Sequence, residues 1–286
     1  MQIIVYSILL LVVIAIIIGI FLGVSSNIFK VEENEIAIKI RSCLPGNNCG
    51  GCGYAGCDAL AEAIAKKEAP ANACPVGGAN VAKQIGEVLG VDAGESNRLV
   101  AFVHCDGTCV NAKKAYEYNG VKDCRIASTL PNNGDKKCVY ACLGYGTCVS
   151  VCKFDAIHIV DGVAKVDEEK CGACKTCVNA CPMKVIELVP YGKTHKVKCQ
   201  NKDKGKLAMD VCGVSCIACG MCEKNCPKKA IEVVNNIAVM DYAKCDDCGT
   251  CAEKCPRKCI TKKKGKTKVE DSNKEKDMKE EVKKDE

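Results

Sequence analysis

The sequence predicts an α+β protein arranged as a string. A single N-terminal transmembrane helix leads into a small helical module and a cysteine-containing linker domain. Two tandem β-hairpin units and a disordered charged tail follow. Three observations carry this prediction. Residues Ile3 to Val24 form a run of 22 without a charge. Of 286 residues, 27 are cysteine, against four Phe and no Trp. Seven of those cysteines recur at a constant offset of 74 residues.

The uncharged run comes first. As a helix it would be roughly 33 Å long, enough to cross a hydrocarbon core. No Lys or Arg precedes it and no convincing cleavage site follows, so it reads as a permanent anchor (1–26) instead of a secretory signal. Lys30, Lys39 and Arg41 follow the span, and the positive-inside rule then places the remaining chain on the cytoplasmic side of a plasma membrane. That compartment is reducing, so its thiols are available as metal ligands, and an odd cysteine count argues against a disulfide scaffold.

The repeat defines the C-terminal half. Cys142, Cys148, Cys152, Cys171, Cys174, Cys177 and Cys181 map by 74 onto Cys216, Cys222, Cys226, Cys245, Cys248, Cys251 and Cys255. The units are assigned to 135–190 and 191–260. In the second, Cys216-x2-Cys219-x2-Cys222-x3-Cys226-Pro227 precedes Cys245-x2-Cys248-x2-Cys251-x3-Cys255-Pro256. This is the bacterial ferredoxin spacing: three close cysteines hold one corner of a [4Fe–4S] cubane and the fourth crosses to a second cluster. One cluster therefore draws on Cys216, Cys219, Cys222 and Cys255, the other on Cys226, Cys245, Cys248 and Cys251. Zinc ribbons use paired knuckles instead of triple runs ending in Cys-Pro. Between the runs, Asp161-Gly162 and Asn235-Asn236 join short apolar segments as hairpins.

The first unit departs from this pattern. Tyr145 stands where a ligand is expected, and Lys153 replaces the proline. One cluster keeps its full set, Cys152, Cys171, Cys174 and Cys177. For the other, the neighbouring Cys138 is the expected substitute, giving Cys138, Cys142, Cys148 and Cys181.

Behind the anchor, module 27–92 carries Cys49-Gly50-Gly51-Cys52-Gly53-Tyr54-Ala55-Gly56-Cys57 and then Cys74-Pro75, a further tetrathiolate candidate. Asp58 is expected to cap a helix running to Lys67. Gly51-x-Gly53-x-x-Gly56 matches the dinucleotide fingerprint only nominally, because no strand precedes it. In the linker, 93–134, Cys105, Cys109 and Cys124 follow an apolar strand, Leu99 to Val103. They form a candidate sixth cluster or remain free structural thiols, and Cys138, the nearest fourth ligand, is then claimed by two sets. His104 and His158 read as packing and surface residues. Cys259 aligns with Val185 and reads as a small apolar residue; Cys43, Cys199 and Cys212 stay unassigned. The tail, 261–286, balances ten Lys against eight Asp and Glu with almost nothing apolar, which marks a solvated segment and not a nucleic-acid arm.

The anchor, then Leu44-Pro45-Gly46-Asn47-Asn48-Cys49-Gly50-Gly51-Cys52-Gly53-Tyr54-Ala55-Gly56-Cys57, then Cys74-Pro75, then ferredoxin units, resembles the B subunit of the Rnf complex in its longer form. The N-terminal module alone is also similar to the cluster domain of corrinoid iron–sulfur proteins. The cysteine spacing gives five [4Fe–4S] clusters, or six, and the Rnf resemblance implies that no flavin or NAD is bound by this chain. The same resemblance implies soluble ferredoxin as electron donor, and integral-membrane and NAD-binding subunits as partners in a ferredoxin:NAD oxidoreductase that moves ions. The sequence contains no P-loop and no motif of an independent catalytic centre. Two other readings compete: a membrane-anchored polyferredoxin serving a hydrogenase or another reductase, and, more distantly, a zinc-binding interaction protein.

Overall fold

A computed structural model describes residues 2–28, 34–92, 94 and 98–262. Lys30 and nearly all of the charged tail, 263–286, lie outside the described residues. The chain divides into two compact units, Met1–Ser96 and Asn97–Glu286.

In the first unit, α1 runs Gln2–Ile28, and its stretch Ile4–Ser25 is long and apolar enough to span a bilayer. Helices α2 (Glu35–Cys43), α3 (Cys57–Ala65) and α4 (Gly78–Leu89) follow. Ile40, Leu60, Ile64 and Ile85 bury their side chains together between them. Asp58 does not cap α3. It sits inside the first turn, where it pairs with Arg41 at 2.6 Å. The Asn48 side chain accepts the Cys57 N–H at 2.8 Å instead, so the cap comes from the cysteine loop itself.

The second unit is built on three two-stranded antiparallel sheets. Hairpins β2–β3 (Ile157–Val160, Val163–Val166) and β5–β6 (Ile231–Val234, Ile237–Met240) are related by the 74-residue offset. Both turns have positive φ at both central residues, Asp161-Gly162 and Asn235-Asn236, as a two-residue hairpin loop with right-handed strand twist requires. The short helices repeat too: α6 (Thr147–Ser150) matches α9 (Met221–Lys224), and α7 (Thr176–Ala180) matches α10 (Thr250–Lys254).

The linker, predicted as a domain of its own, belongs to the first ferredoxin unit. Strand β1 (Leu99–Val103) pairs with β4 (Ile186–Pro190), Val103 opposite Ile186. The second unit repeats that contact as a bridge between Val197 and Ile260. His104 N–H donates to the Val185 carbonyl and Lys198 N–H to the Cys259 carbonyl, each at 2.7 Å. The duplicated element therefore begins at β1, and before Cys138 its offset is 94, not 74. The difference is an insertion of 20 residues in the first unit, between Cys105 and Cys138.

Candidate iron–sulfur sites

The cysteines stand on loops whose backbone is fixed by left-handed residues. Gly146, Lys175, Gly220 and Gly249, all with positive φ, precede the four short helices that carry Cys148, Cys177, Cys222 and Cys251. Backbone N–H groups also meet the sulfurs. Ala230 N–H donates to Cys226 Sγ at 3.2 Å, Asp247 N–H to Cys245 at 3.4 Å and Ala101 N–H to Cys171 at 3.3 Å. Such bonds hold a thiolate in place and tune a cluster bound to it.

In the second unit, Cys216, Cys219, Cys222 and Cys255 line one small cavity. Cys226, Cys245, Cys248 and Cys251 line another. In the first unit, Cys177 is surrounded by Cys171, Cys174 and Cys152. Burial pushes its thiol up to about 12, and that of Cys148 likewise. In the N-terminal module Cys74 has Cys52 and Cys57 beside it and accepts the Gly77 N–H at 3.4 Å, while Cys49, half-buried, opens the same loop. Among the described residues, no three His, Cys, Asp or Glu side chains close to the spacing of a single metal ion. These all-thiol sets on ferredoxin-type loops fit cubanes.

Two expected groupings are corrected. Cys138 does not join Cys142, Cys148 and Cys181. Its neighbours are Cys105, Cys199 and Cys212. Beside Cys148 stand Cys142, Cys124, Cys181 and Cys177, so the structure brings Cys124, and not Cys138, into this group. Cys124 begins helix α5 (Cys124–Ala127), and the Thr147 hydroxyl accepts its N–H at 2.8 Å, fixing the insertion to the loop that carries Cys148. The candidate trio Cys105, Cys109 and Cys124 is likewise dispersed. Cys109 is exposed and lies over the β2–β3 turn, where its N–H donates to the Asp161 carbonyl at 2.9 Å.

The remaining groups sort by contact. Cys43 donates to the Lys39 carbonyl in its own helix at 3.4 Å. His104 bonds the Val197 carbonyl through Nδ1 and faces Glu187 at 3.2 Å, and His158 faces Asp155 at the surface. Cys259 is buried, as its alignment with Val185 predicts, but it does more than fill space. Its Sγ lies 3.6 Å from Cys255 Sγ. The hydrogen bond between these two thiols holds Cys255 below the ordinary thiol range and Cys259 above it. Cys259→Ala should leave the iron content unchanged and make the potential of the Cys216–Cys255 cluster more negative, because a donor to its sulfur is lost. An EPR-monitored redox titration reads this; an unmoved potential refutes it.

Sequence reasoning missed Lys136. This side chain is only 6% exposed. Its ammonium donates to the carbonyls of Gly107, Cys142 and Gly162 at 2.8, 2.7 and 2.9 Å.

Comparison with known proteins agrees with iron–sulfur chemistry in this chain. Residues 44–76 match a family described as a putative Fe-S cluster. Residues 170–231 and 208–256 match two families described as 4Fe-4S dicluster domains. The chain is 48% identical over 250 residues to the B subunit of the Na+-translocating ferredoxin:NAD+ oxidoreductase complex of Acetobacterium woodii, covering 87% of this chain and 75% of the relative. It is 42% identical to the B subunit of the ion-translocating oxidoreductase complex of Methanosarcina acetivorans, over 80% of this chain and 86% of that one. Against the B subunit of the proton-translocating ferredoxin:NAD+ oxidoreductase complex of Clostridium ljungdahlii the identity is 39%, over 86% and 87%.

Proposed function

Because the chain belongs to the B subunits of ion-translocating (Rnf) oxidoreductase complexes, we propose that it conducts electrons from soluble reduced ferredoxin to integral-membrane and NAD-binding partner subunits. It is an iron–sulfur electron-transfer subunit. The observation that carries the reading is that four cysteines at ferredoxin spacing line each of two cavities in the second unit.

Five ligand sets follow. Cys49, Cys52, Cys57 and Cys74 form the membrane-proximal one. Cys124, Cys142, Cys148 and Cys181, with Cys152, Cys171, Cys174 and Cys177, serve the first unit. Cys216, Cys219, Cys222 and Cys255, with Cys226, Cys245, Cys248 and Cys251, serve the second. Bound [4Fe–4S] clusters supply one-electron carriage. The chain's residues hold the thiolates, aim N–H groups at sulfur and exclude water. Flavin and NAD chemistry belongs to the partners in this reading, and α1 tethers the conductor at the cytoplasmic face, with Lys39 and Arg41 following the span. An electron falling 100 mV releases about 2.3 kcal/mol, the cost of moving one charge against 100 mV, so a conductor feeds ion movement without performing it.

The test is the pair Cys49→Ala and Cys52→Ala in the membrane-bound complex. Ferredoxin should still reduce the chain, seen as bleached cluster absorbance, while electron flow to NAD stops. Undiminished flow would overturn the placement of this module at the exit.

A further inference from the structure

Four cysteines from four separate segments meet where the two ferredoxin units join. Cys105 follows β1, Cys138 precedes the first cluster loop, and Cys199 and Cys212 are their counterparts in the second unit. All four are buried, and together they line one small cavity. The two halves of the site are related by the duplication. Cys105 Sγ accepts N–H groups from Gly107 and Cys142, each at 3.4 Å. Cys199 Sγ accepts them from Asn201 at 3.5 Å and Cys216 at 3.2 Å. The donor two residues on is the same in both halves. The distant donor is in each case the first cysteine of a ferredoxin run, Cys142 or Cys216. Cys138 and Cys212 complete the pairs at the 74-residue offset.

Resting on the iron–sulfur reading above, we propose that Cys105, Cys138, Cys199 and Cys212 hold a sixth [4Fe–4S] cluster at the junction of the two units. Each unit contributes two thiolates, so neither completes the site alone. The cluster is both a staple and a relay. Its ligand sulfur on either side is hydrogen-bonded to the backbone of a ligand of the adjoining cluster, which gives a bonded route from one unit to the other. A tetrathiolate closed by segments this far apart also restricts the unfolded chain as a cross-link does. Inert thiols would not need two symmetric pairs, each served by two backbone donors. With this site, 24 of the 27 cysteines are ligands, and Cys43, Cys109 and Cys259 are the three outside.

The full chain, solubilised from anaerobic membranes, provides the test. Wild type should carry about 24 iron and as many acid-labile sulfides, six cubanes of four. Cys138→Ala and Cys212→Ala should each lose about four iron, whereas Cys109→Ala should lose none. Protease should also cut between the units, near residues 190–195, faster in the two junction variants than in wild type. A wild-type count near 20, or one zinc per chain at this site, overturns the sixth cluster while leaving the five others standing; that count needs no variant to fold. A chain without dithionite-bleachable absorbance overturns the iron–sulfur reading itself, a separate failure.

Discussion

Replacing Cys124 with alanine is expected to remove one whole cubane from the first ferredoxin unit, about four iron per chain. The thiol is buried beside Cys148, and its N–H is tied to the Thr147 hydroxyl of the loop carrying that cysteine. Tyr145 occupies the position at which the second unit has Cys219, so nothing else on the loop can take the place. The electron path through the unit should be cut, and the signal of the cluster held by Cys142, Cys148 and Cys181 should vanish. Cys109→Ala, 15 positions earlier in the same stretch between Cys105 and Cys138, should retain full iron. Iron analysis and EPR of anaerobically prepared complex decide the matter. Full iron in Cys124→Ala, or loss in Cys109→Ala, would show that another ligand serves the cluster. Tyr145→Cys in the Cys124→Ala background should restore it, because it recreates the loop of the second unit.

This cluster marks where the sequence is legible and where it is not. The 74-residue offset spans rigid, locally encoded elements, so it yields the hairpins, the short loop helices and the loops on which the repeated cysteines stand. Asp161-Gly162 and Asn235-Asn236 need only their own backbone preferences to turn. The lead-in segments are different. Their partners are distant strands: Val103 meets Ile186, and Val197 meets Ile260. A 20-residue insertion breaks the offset between Cys105 and Cys138, which hides the match of Val103-x-Cys105 with Val197-x-Cys199. The 74-residue offset instead sets Cys199, one residue off, against Cys124, a residue that has no counterpart in the second unit. Proximity in sequence then draws Cys138 to the wrong site. Non-local pairing, not cysteine chemistry, is the missing information.

Lys136→Met should have the second large effect, on stability and on potential together. The ammonium has three donors, and each has a backbone carbonyl, from Gly107, Cys142 and Gly162. These acceptors belong to three segments: the turn after Cys105, the start of the first cluster loop and the β2–β3 hairpin. Methionine keeps the bulk and removes all three bonds. Buried carbonyls left unpaired cost about 1–3 kcal/mol each, so a loss of roughly 3 kcal/mol or more is expected. The charge itself acts on the neighbouring thiols. Lys136 favours the thiolate forms of Cys142 and Cys212, against the larger opposing effect of burial. A buried positive charge stabilises the reduced, more negative state of a nearby cluster. Removing it should therefore move the potential of the adjoining site downward by tens of millivolts, on the order of 1 kcal/mol in a partly screened interior. Lys165→Met is the control, since its ammonium pairs with Asp106 at 2.8 Å but its side chain is 44% exposed and screened by water. A redox titration followed by EPR separates the two roles. A chain that melts early in Lys136→Met yet keeps its wild-type potentials shows a tie between segments and nothing more. A downward shift absent from Lys165→Met identifies Lys136 as the residue that sets the potential at the junction of the two units.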